Sequence, residues 1–185
     1  MVSLNTPLCE FDWLPPDFNL LGTDGQRWNL TKSKGTNGLL ILFICNHCPY
    51  VQVILPRLVN DLAELKLLGI HSIAISSNDA INYPDDSYEK MQKIADSNNF
   101  SFPYVYDETQ EVARNYNAIC TPEFFGFNSN LRLQYRGRFD STGRGEVPKD
   151  NNRDLFEAMK IIAKTGNGPK EQFSSIGCSI KWKKN

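Results

Sequence analysis

The chain has 185 residues, 41% of them hydrophobic and 22% charged, which is the composition of a globular protein with enough residues for one domain. Its 20 Lys and Arg residues nearly balance its 21 Asp and Glu residues, and the net charge of -1 leaves no basic surplus for nucleic acid. No apolar run approaches the ~18 residues of a membrane span, so we expect neither a nucleic-acid nor a membrane partner.

The first part of the chain predicts a hairpin, a buried strand and a long helix. Residues 16–30 carry apolar segments on either side of an Asp-Gly pair, which is a strong local signal for a turn. Residues 38–44 form a continuous apolar run, typical of a strand buried on both faces. Apolar residues then recur at helical spacing over residues 51–65, and Gly69 is predicted to end that helix.

The middle of the chain alternates strand and helix signals. Residues 70–76 and 102–107 predict two further strands. Asp86 and Asp107 are each followed three residues later by Glu or Gln, the pattern of a capping box, and apolar residues at helical spacing come next. We therefore predict that both carboxylates cap helices.

The last third predicts a second hairpin and a final helix. Residues 122–137 contain two apolar segments joined by a Ser-Asn turn. Asn152 is predicted to cap a helix that ends at Gly166, and the sequence beyond Gly166 is irregular.

Strands that alternate with helices predict an α/β domain with a central, mixed sheet flanked by helices. Nothing in the composition marks a linker. We therefore predict one domain over residues 1–185, with its core at about 15–165 and a tail over 166–185.

The cysteines and the start of the chain bear on the compartment. The first residues lack the basic region and apolar stretch of a secretory signal, so we expect a cytoplasmic protein whose thiols are mostly reduced. An odd number of widely spaced cysteines does not match a secreted disulfide framework. They are Cys9, Cys45, Cys48, Cys120 and Cys178.

Cys45 and Cys48 form a Cys-x-x-Cys where the buried strand gives way to the helix. The N-terminus of a helix offers unpaired N–H groups and a favourable dipole, which lower a thiol pKa to ~3.5–7.5 and so create the nucleophile of disulfide exchange. We predict that Cys45 is the more exposed, attacking thiol and that Cys48, one turn inside the helix, resolves the mixed disulfide. His47 would stabilise a thiolate when protonated.

Two other interpretations of this motif stay open. Cys45 and Cys48 could be small buried hydrophobic residues. They could also bind a metal together with His47 or another cysteine, although zinc sites usually have a second pair at defined spacing, and the other cysteines are single. Redox chemistry is favoured over both, and no cofactor is expected.

Four segments, between about residues 15 and 182, resemble the thioredoxin superfamily. The similarity is greatest to a peroxiredoxin-like branch described by the alkyl hydroperoxide reductase and thiol-specific antioxidant domain. The segments are "PDFNLLGTDGQRWNL", "FICNHCPYV", "FPYVYDETQEVARNYNAICTPEFFGFN" and "SIGCSIKW". The resemblance implies a thioredoxin-like fold with an N-terminal hairpin extension. It also implies that Thr121 and Pro122 correspond to the cis-proline pair beside the Cys-x-x-Cys.

The sequence departs from true peroxiredoxins, whose peroxide site resembles P-x-x-x-T-x-x-C with a separate arginine. Counting back from Cys48, Cys45 stands where the threonine should be and Ile41 where the proline should be. Arg136 and Arg138 belong to the strand after Thr121-Pro122. We therefore expect weak peroxidase activity.

Together these patterns predict a cytosolic thiol–disulfide oxidoreductase that takes part in cell redox homeostasis. The alternatives are a peroxiredoxin-like thiol peroxidase with an antioxidant role, or a metal- or cluster-binding protein. The expected partners are protein or small-molecule thiols and disulfides, with a thioredoxin or glutathione system as reductant. Cys178 and Cys120 are candidate third thiols, and Cys178 is either a buried filler or a relay placed near Cys45.

Overall fold

The computed structural model describes residues 2–143, 145, 147 and 151–184. The strands within them are β1 (Ser3–Asn5), β2 (Leu20–Gly22), β3 (Arg27–Trp28), β4 (Gly38–Phe43), β5 (Ile70–Ser76), β6 (Tyr104–Tyr106), β7 (Cys120–Thr121), β8 (Glu123–Asn128), β9 (Leu133–Gly137) and β10 (Ile176–Ser179). The helices are α1 (Leu30–Ser33), α2 (Pro49–Leu67), α3 (Tyr88–Ser97), α4 (Glu111–Asn115) and α5 (Asp154–Thr165), with a 3-10 turn at Pro84–Asp86.

The main sheet has the strand order β3-β2-β6-β5-β4-β8-β9. Strand β5 runs parallel to both β4 and β6, and the other pairs in this sheet are antiparallel. Both predicted hairpins are present, as β2-β3 and β8-β9. The predicted mixed α/β architecture is therefore confirmed.

Strand β4 runs through the centre of the core, and all six of its residues are buried. Its side chains alternate between two apolar clusters, one on each face of the sheet. Leu40 and Leu42 belong to the cluster that includes residues of α2 and α5. Leu39 and Phe43 belong to the cluster that includes residues of α4. The strand is thus buried on both faces, as its uninterrupted apolar run predicts.

Helix α2 begins later than the sequence suggested. Strand β4 ends at Phe43, and the first helical residue is Pro49, a position where the missing N–H of proline costs no hydrogen bond. Cys48 is the N-cap residue, and its carbonyl accepts the first helical hydrogen bond from Gln52 N. At the other end, Gly69 lies just past the helix with a φ of 75°, as predicted for a helix stop.

The predicted helix caps have mixed outcomes. The Asp107 carboxylate accepts hydrogen bonds from Val112 N and Ala113 N in the first turn of α4, as predicted, but the N-cap residue is Gln110 and the predicted capping box does not form. Helix α3 has Ser87 as its N-cap residue, and the predicted Asp86 cap is wrong because that carboxylate bonds residues elsewhere in the fold.

The predicted cap at Asn152 is also wrong. The N-cap residue of α5 is Arg153, and no side chain makes the cap hydrogen bond there. The end of this helix is as predicted, with Gly166 at the C-cap in the left-handed conformation.

The predicted irregular tail contains a strand. Strand β10 lies between β1 and β7 in a second, three-stranded antiparallel sheet. This pairing fixes residues 176–179 against Thr121, beside the Cys-x-x-Cys. This strand was not predicted, because a four-residue strand is too short for a clear periodic pattern.

In the part of the chain that the structure describes, we find no helix with both the length and the apolar character needed to cross a bilayer.

Candidate active site

Cys45 and Cys48 lie together at the carboxyl end of β4, below the first turn of α2. Cys48 is the helix N-cap, and Cys45 lies in the segment between strand and helix, so both lie about one turn earlier relative to the helix than predicted. Both residues are buried, with relative exposures of 1% and 0%. The prediction of an accessible Cys45 is therefore wrong for this structure.

The Thr121-Pro122 peptide bond is cis and lies against the two thiols, as the resemblance implied. The Thr121 hydroxyl is 3.3 Å from Cys45 Sγ. Cys48 Sγ lies 3.0 Å from the Thr121 carbonyl oxygen, within donating distance for its thiol. Thr121 thus brings a hydroxyl to Cys45 that the sequence argument, confined to residues near the motif, did not find.

The two thiols influence each other's ionisation. A hydrogen bond from Cys45 is the largest effect on Cys48, and with the Val51 backbone N–H at the start of α2 it outweighs burial and lowers the pKa of Cys48 to about 5. The same thiol–thiol hydrogen bond, then burial and the nearby Asp86 carboxylate, raise the pKa of Cys45. These shifts favour a Cys48 thiolate that accepts a hydrogen bond from the Cys45 thiol, whereas the 3.0 Å contact with the Thr121 carbonyl needs a proton on Cys48, so the proton shared by the two sulfurs can lie on either.

A His47–Asp86 pair adjoins the thiols. His47 Nδ1 lies 2.6 Å from Asp86 Oδ2, and the ring stacks on Tyr83 with centroids 5.7 Å apart. Asp86 has no solvent exposure and also accepts hydrogen bonds from Asn46 N and the Asn78 amide. A buried carboxylate with several donors is a fixed acceptor that orients the imidazole.

The same contacts set the charges of this pair. The hydrogen bond to Asp86 outweighs burial and raises the pKa of His47. Burial alone would raise the pKa of Asp86, but the hydrogen bonds from His47 and Asn78 outweigh it, and the net shift is downward. Both shifts favour an ionised pair, with a cationic imidazole next to the thiols.

Asp86 and Asn78 are the site residues that the sequence analysis missed. A signal was available, because β4 and β5 are parallel neighbours and the segments after their carboxyl ends meet at one edge of the sheet. Polar residues directly after β5 therefore had to lie near Cys45. The capping-box pattern at Asp86 obscured this because it explained the residue locally.

The metal hypothesis has a different donor set from the predicted one. The ligand atoms of Cys45, His47 and Asp86 lie within 4.8 Å of one another. The His47 and Asp86 atoms are already hydrogen-bonded to each other, and the Asn78 amide donates to the same Asp86 oxygen. These atoms form a satisfied hydrogen-bond network, which a metal ion would have to break.

The two candidate third thiols have different surroundings. Cys178 is 2% exposed, lies opposite Thr121 in the β7-β10 pairing, and hydrogen-bonds Cys48. Cys120 is fully buried, lies near the Pro122 carbonyl, and burial raises its pKa. The prediction that Cys178 is a buried residue is confirmed, and the thiol that it hydrogen-bonds is Cys48, whereas the relay alternative named Cys45.

The arginines of β9 have carboxylate partners. Arg136 donates to the buried Glu123 carboxylate at 2.5 Å and lies over the ring of Phe125. Arg138, the residue directly after β9, pairs with Asp154 at 2.5 Å. Both guanidinium groups are held by these ion pairs, as expected if neither serves a peroxide site.

A mixed sheet of this topology, with two thiols at a strand-to-helix junction and a cis-proline against them, defines a protein of thioredoxin-like fold. The AhpC/TSA family model matches residues 14–139. The chain belongs to the AhpC/TSA family. None of the curated proteins matches it significantly.

Solved structures agree with this assignment. The chain is similar to an uncharacterized conserved protein from Geobacillus kaustophilus, with 37% identity and a TM-score of 0.94, covering 100% of this chain and 98% of that one. A hypothetical protein from Sinorhizobium meliloti is 33% identical, with a TM-score of 0.89 and coverage of 99% and 98%.

A more distant structural match is described as a thioredoxin domain. The thioredoxin domain of a thiol-disulfide oxidoreductase from Bacteroides vulgatus is 16% identical, with a TM-score of 0.57, covering 68% of this chain and 86% of that one. The thioredoxin-like fold expected from the sequence is therefore confirmed.

Proposed function

We propose that the protein is a thiol–disulfide oxidoreductase whose redox pair is Cys45 and Cys48. The observation that carries the proposal is the hydrogen bond between these two thiols at the N-terminus of α2, which supports a single shared proton. Two sulfurs in contact can form a disulfide, and the lowered pKa of Cys48 favours a thiolate, the nucleophile of exchange, within the pair.

The pKa values and the positions of the two thiols favour different residues as the attacking nucleophile. Cys48 is the more acidic thiol, but its sulfur is surrounded by Cys45, Thr121, Cys178 and the start of α2. Cys45 adjoins the partly exposed Asn46 and His47. We propose that the proton moves from Cys45 to Cys48 along their hydrogen bond as a substrate disulfide arrives, which generates the thiolate on Cys45.

The exchange then proceeds in two steps. The Cys45 thiolate attacks one sulfur of the substrate disulfide, forms a mixed disulfide and releases the other sulfur as a thiolate that takes up a proton. Cys48 loses its proton and attacks Cys45, so that the Cys45–Cys48 disulfide forms and the second substrate sulfur leaves. Two electrons pass from the protein to the substrate, and a thioredoxin or glutathione system would restore the dithiol.

His47 is proposed as the proton acceptor and donor beside Cys45. Its Nδ1 is bound to Asp86, which leaves Nε2 as the ring nitrogen available for exchange with a leaving thiolate. The ring is partly exposed, so it can return protons to solvent. Asp86 acts through His47 and is therefore a positioning residue.

Thiol peroxidase activity is the second candidate, because the chain belongs to a family named for peroxide reduction and antioxidant function. The Thr121 hydroxyl near Cys45 would favour it. The pairing of Arg136 with Glu123 opposes it, since the guanidinium group that could bind peroxide is bound by the Glu123 carboxylate. We therefore rank the dithiol reaction first and expect weak reaction with peroxide.

A disulfide-reduction assay tests the proposal. The reduced protein should reduce a protein disulfide such as that of insulin, with regeneration by a dithiol, and Cys45→Ser should abolish turnover. Cys120→Ser is the matched control, since it removes a buried thiol outside the pair and should retain activity. Turnover that persists in both Cys45→Ser and Cys48→Ser would contradict the proposal.

A further inference from the structure

Strand β10 brings a third sulfur to the redox pair. Its antiparallel register with β7 sets Cys178 opposite Thr121, the residue whose carbonyl and hydroxyl contact the two thiols. The strand approaches closely because of Gly177, where an added Cβ would lie 2.3 Å from the Thr121 carbonyl oxygen. A side chain at that position would force the strand away.

Two other sulfurs adjoin Cys48. Both the Cys45 and the Cys178 thiol hydrogen-bond it. All three cysteines belong to one apolar cluster and are at most 2% exposed. Sulfurs in hydrogen-bonding contact are neighbours that can exchange if they approach to the bond length of ~2.05 Å, and the resulting disulfide requires Cα atoms within ~7 Å.

Cys120 is also close to this site in sequence, but its contacts differ from those of Cys178. It precedes Thr121 in β7, but its thiol lies near the Pro122 carbonyl, and its partner in β10 is Ser179. It is as buried as Cys178. It therefore serves as a matched control for any effect of removing a buried thiol.

We propose that Cys178 is a third redox thiol, which exchanges with the Cys45–Cys48 disulfide and transfers that bond to Cys48–Cys178. This inference rests on the proposed function, since the oxidised pair is its starting state. The Cys178 thiolate attacks Cys48 Sγ, the Cys48–Cys178 bond forms, and the Cys45–Cys48 bond breaks. The electron pair leaves on Cys45, which takes up the proton that Cys178 lost, so the protein undergoes no net oxidation or reduction.

This exchange gives the oxidised protein a second form with different properties. The disulfide would join β10 to the start of α2 in the buried cluster. Cys45 would be restored as a thiol next to His47, at the side of the site that is partly exposed. The exchange thus regulates the same site, because it moves the disulfide away from His47 and restores the Cys45 thiol beside that residue.

Disulfide mapping of the full-length protein tests this inference. The reduced protein is oxidised with oxidised glutathione, quenched with acid, blocked with N-ethylmaleimide and digested with trypsin. Cys45 and Cys48 both fall in peptide 35–57, and Cys178 falls in peptide 171–181. A Cys45–Cys48 disulfide stays within one peptide, whereas the proposed bond joins two.

The expected result is a joined 35–57 and 171–181 species in the wild type, which fragmentation assigns to Cys48. The joined species should become the main oxidised product in Cys45→Ser, disappear in Cys48→Ser, and be unchanged in Cys120→Ser. The proposal is overturned if the wild type yields only the disulfide within peptide 35–57, or if Cys45→Ser yields only a glutathione adduct on Cys48. An absence of both the Cys45–Cys48 disulfide and the joined species from the oxidised wild type would instead overturn the proposed function.

Discussion

The His47 imidazole and the Asp86 carboxylate, 39 residues apart in the chain, are joined by a hydrogen bond of 2.6 Å beside the two thiols. Asp86 is fully buried and receives further donors from Asn46 and Asn78. This pair connects the segment after β4 with the segment after β5. It therefore contributes both to the electrostatics of the site and to the stability of the fold.

The first prediction concerns the dependence of stability on pH. The pKa of His47 is raised in the folded protein, so its contribution is complete below the unfolded value of ~6.5 and is lost as pH rises through the folded pKa. The pKa of Asp86 is lowered, so its contribution is complete above the unfolded value of ~3.9 and is lost as pH falls through the folded pKa. The pair therefore stabilises most between pH ~4 and ~6.5.

Urea unfolding of Asp86→Asn across this range checks that prediction. The variant should lose stability by about 1–3 kcal/mol at pH ~6 and lose the decline that His47 causes at higher pH. Asp85→Asn is the matched control, because Asp85 is the exposed neighbour with 68% side-chain exposure and an ion pair to Lys90. Equal effects of the two substitutions would show that the buried pair has no special role.

The second prediction concerns thiol ionisation. In the reduced protein, thiolate absorbance near 240 nm should rise with a pKa of about 5, because Cys48 accepts hydrogen bonds from Cys45 and the helix N-terminus. Cys48→Ser should remove that transition and leave Cys45 protonated well into the alkaline range, since burial and Asp86 still act on it. Cys120→Ser should keep the transition. Loss of the transition in Cys120→Ser would contradict its assignment to Cys48.

The third prediction concerns the order of attack. Cys48→Ser should trap a mixed disulfide on Cys45 with a protein substrate, because the resolving thiol is absent. Cys45→Ser leaves the enclosed Cys48, which should react at least tenfold more slowly with a protein disulfide than with a small one. Trapping assays with insulin and with oxidised glutathione measure both rates. Preferential trapping of insulin on Cys48 would reverse the roles.

The fourth prediction concerns peroxide. Stopped-flow oxidation by hydrogen peroxide should be no faster than for an ordinary low-pKa thiol, since Arg136 is held by Glu123. Thr121→Val removes the hydroxyl 3.3 Å from Cys45 and should change this slow rate little. A fast rate that collapses in Thr121→Val would instead support peroxidase function.

The fifth prediction concerns the approach of β10. Gly177→Ala places a Cβ against the Thr121 backbone and should destabilise the fold by about 1–3 kcal/mol while raising the pKa of Cys48, as Cys178 moves away. Gly145→Ala is the control, since its added Cβ would lie 3.5 Å from the nearest atom. Urea unfolding and thiolate titration report the two effects. If Gly177→Ala is destabilised but the Cys48 thiolate titration is unchanged, Cys178 does not contribute to the low pKa of Cys48.

Local patterns were enough to predict most elements of the fold. The apolar run of β4, the helical spacing of α2 and the two hairpins each depend on neighbouring residues. Gly69 and Gly166 end their helices as predicted, because both adopt the left-handed conformation that glycine allows. The position of Thr121-Pro122 followed from the family resemblance rather than from a local signal.

Three of the errors have a common physical cause, since each depends on contacts between distant segments. Asp86 was assigned a local capping role, yet its partners come from the segment after β4. The exposure of Cys45 depends on how Thr121 and Asp86 pack over it. The position of Cys178 depends on a four-residue strand whose partners lie in β1 and β7.

The second sheet also constrains the order in which the protein matures. Strand β10 must pair with β1, which lies about 170 positions earlier in the chain, and contacts of such high separation form late because loop closure opposes them. While the ribosome is still making residues 176–179, Cys48 lacks its Cys178 neighbour and the cover that β10 provides. Because about 130 residues separate Cys48 from Cys178, synthesis at ~5–20 residues per second leaves Cys48 without this cover for about 7–26 seconds, and premature crosslinking during synthesis is a hazard built into this topology.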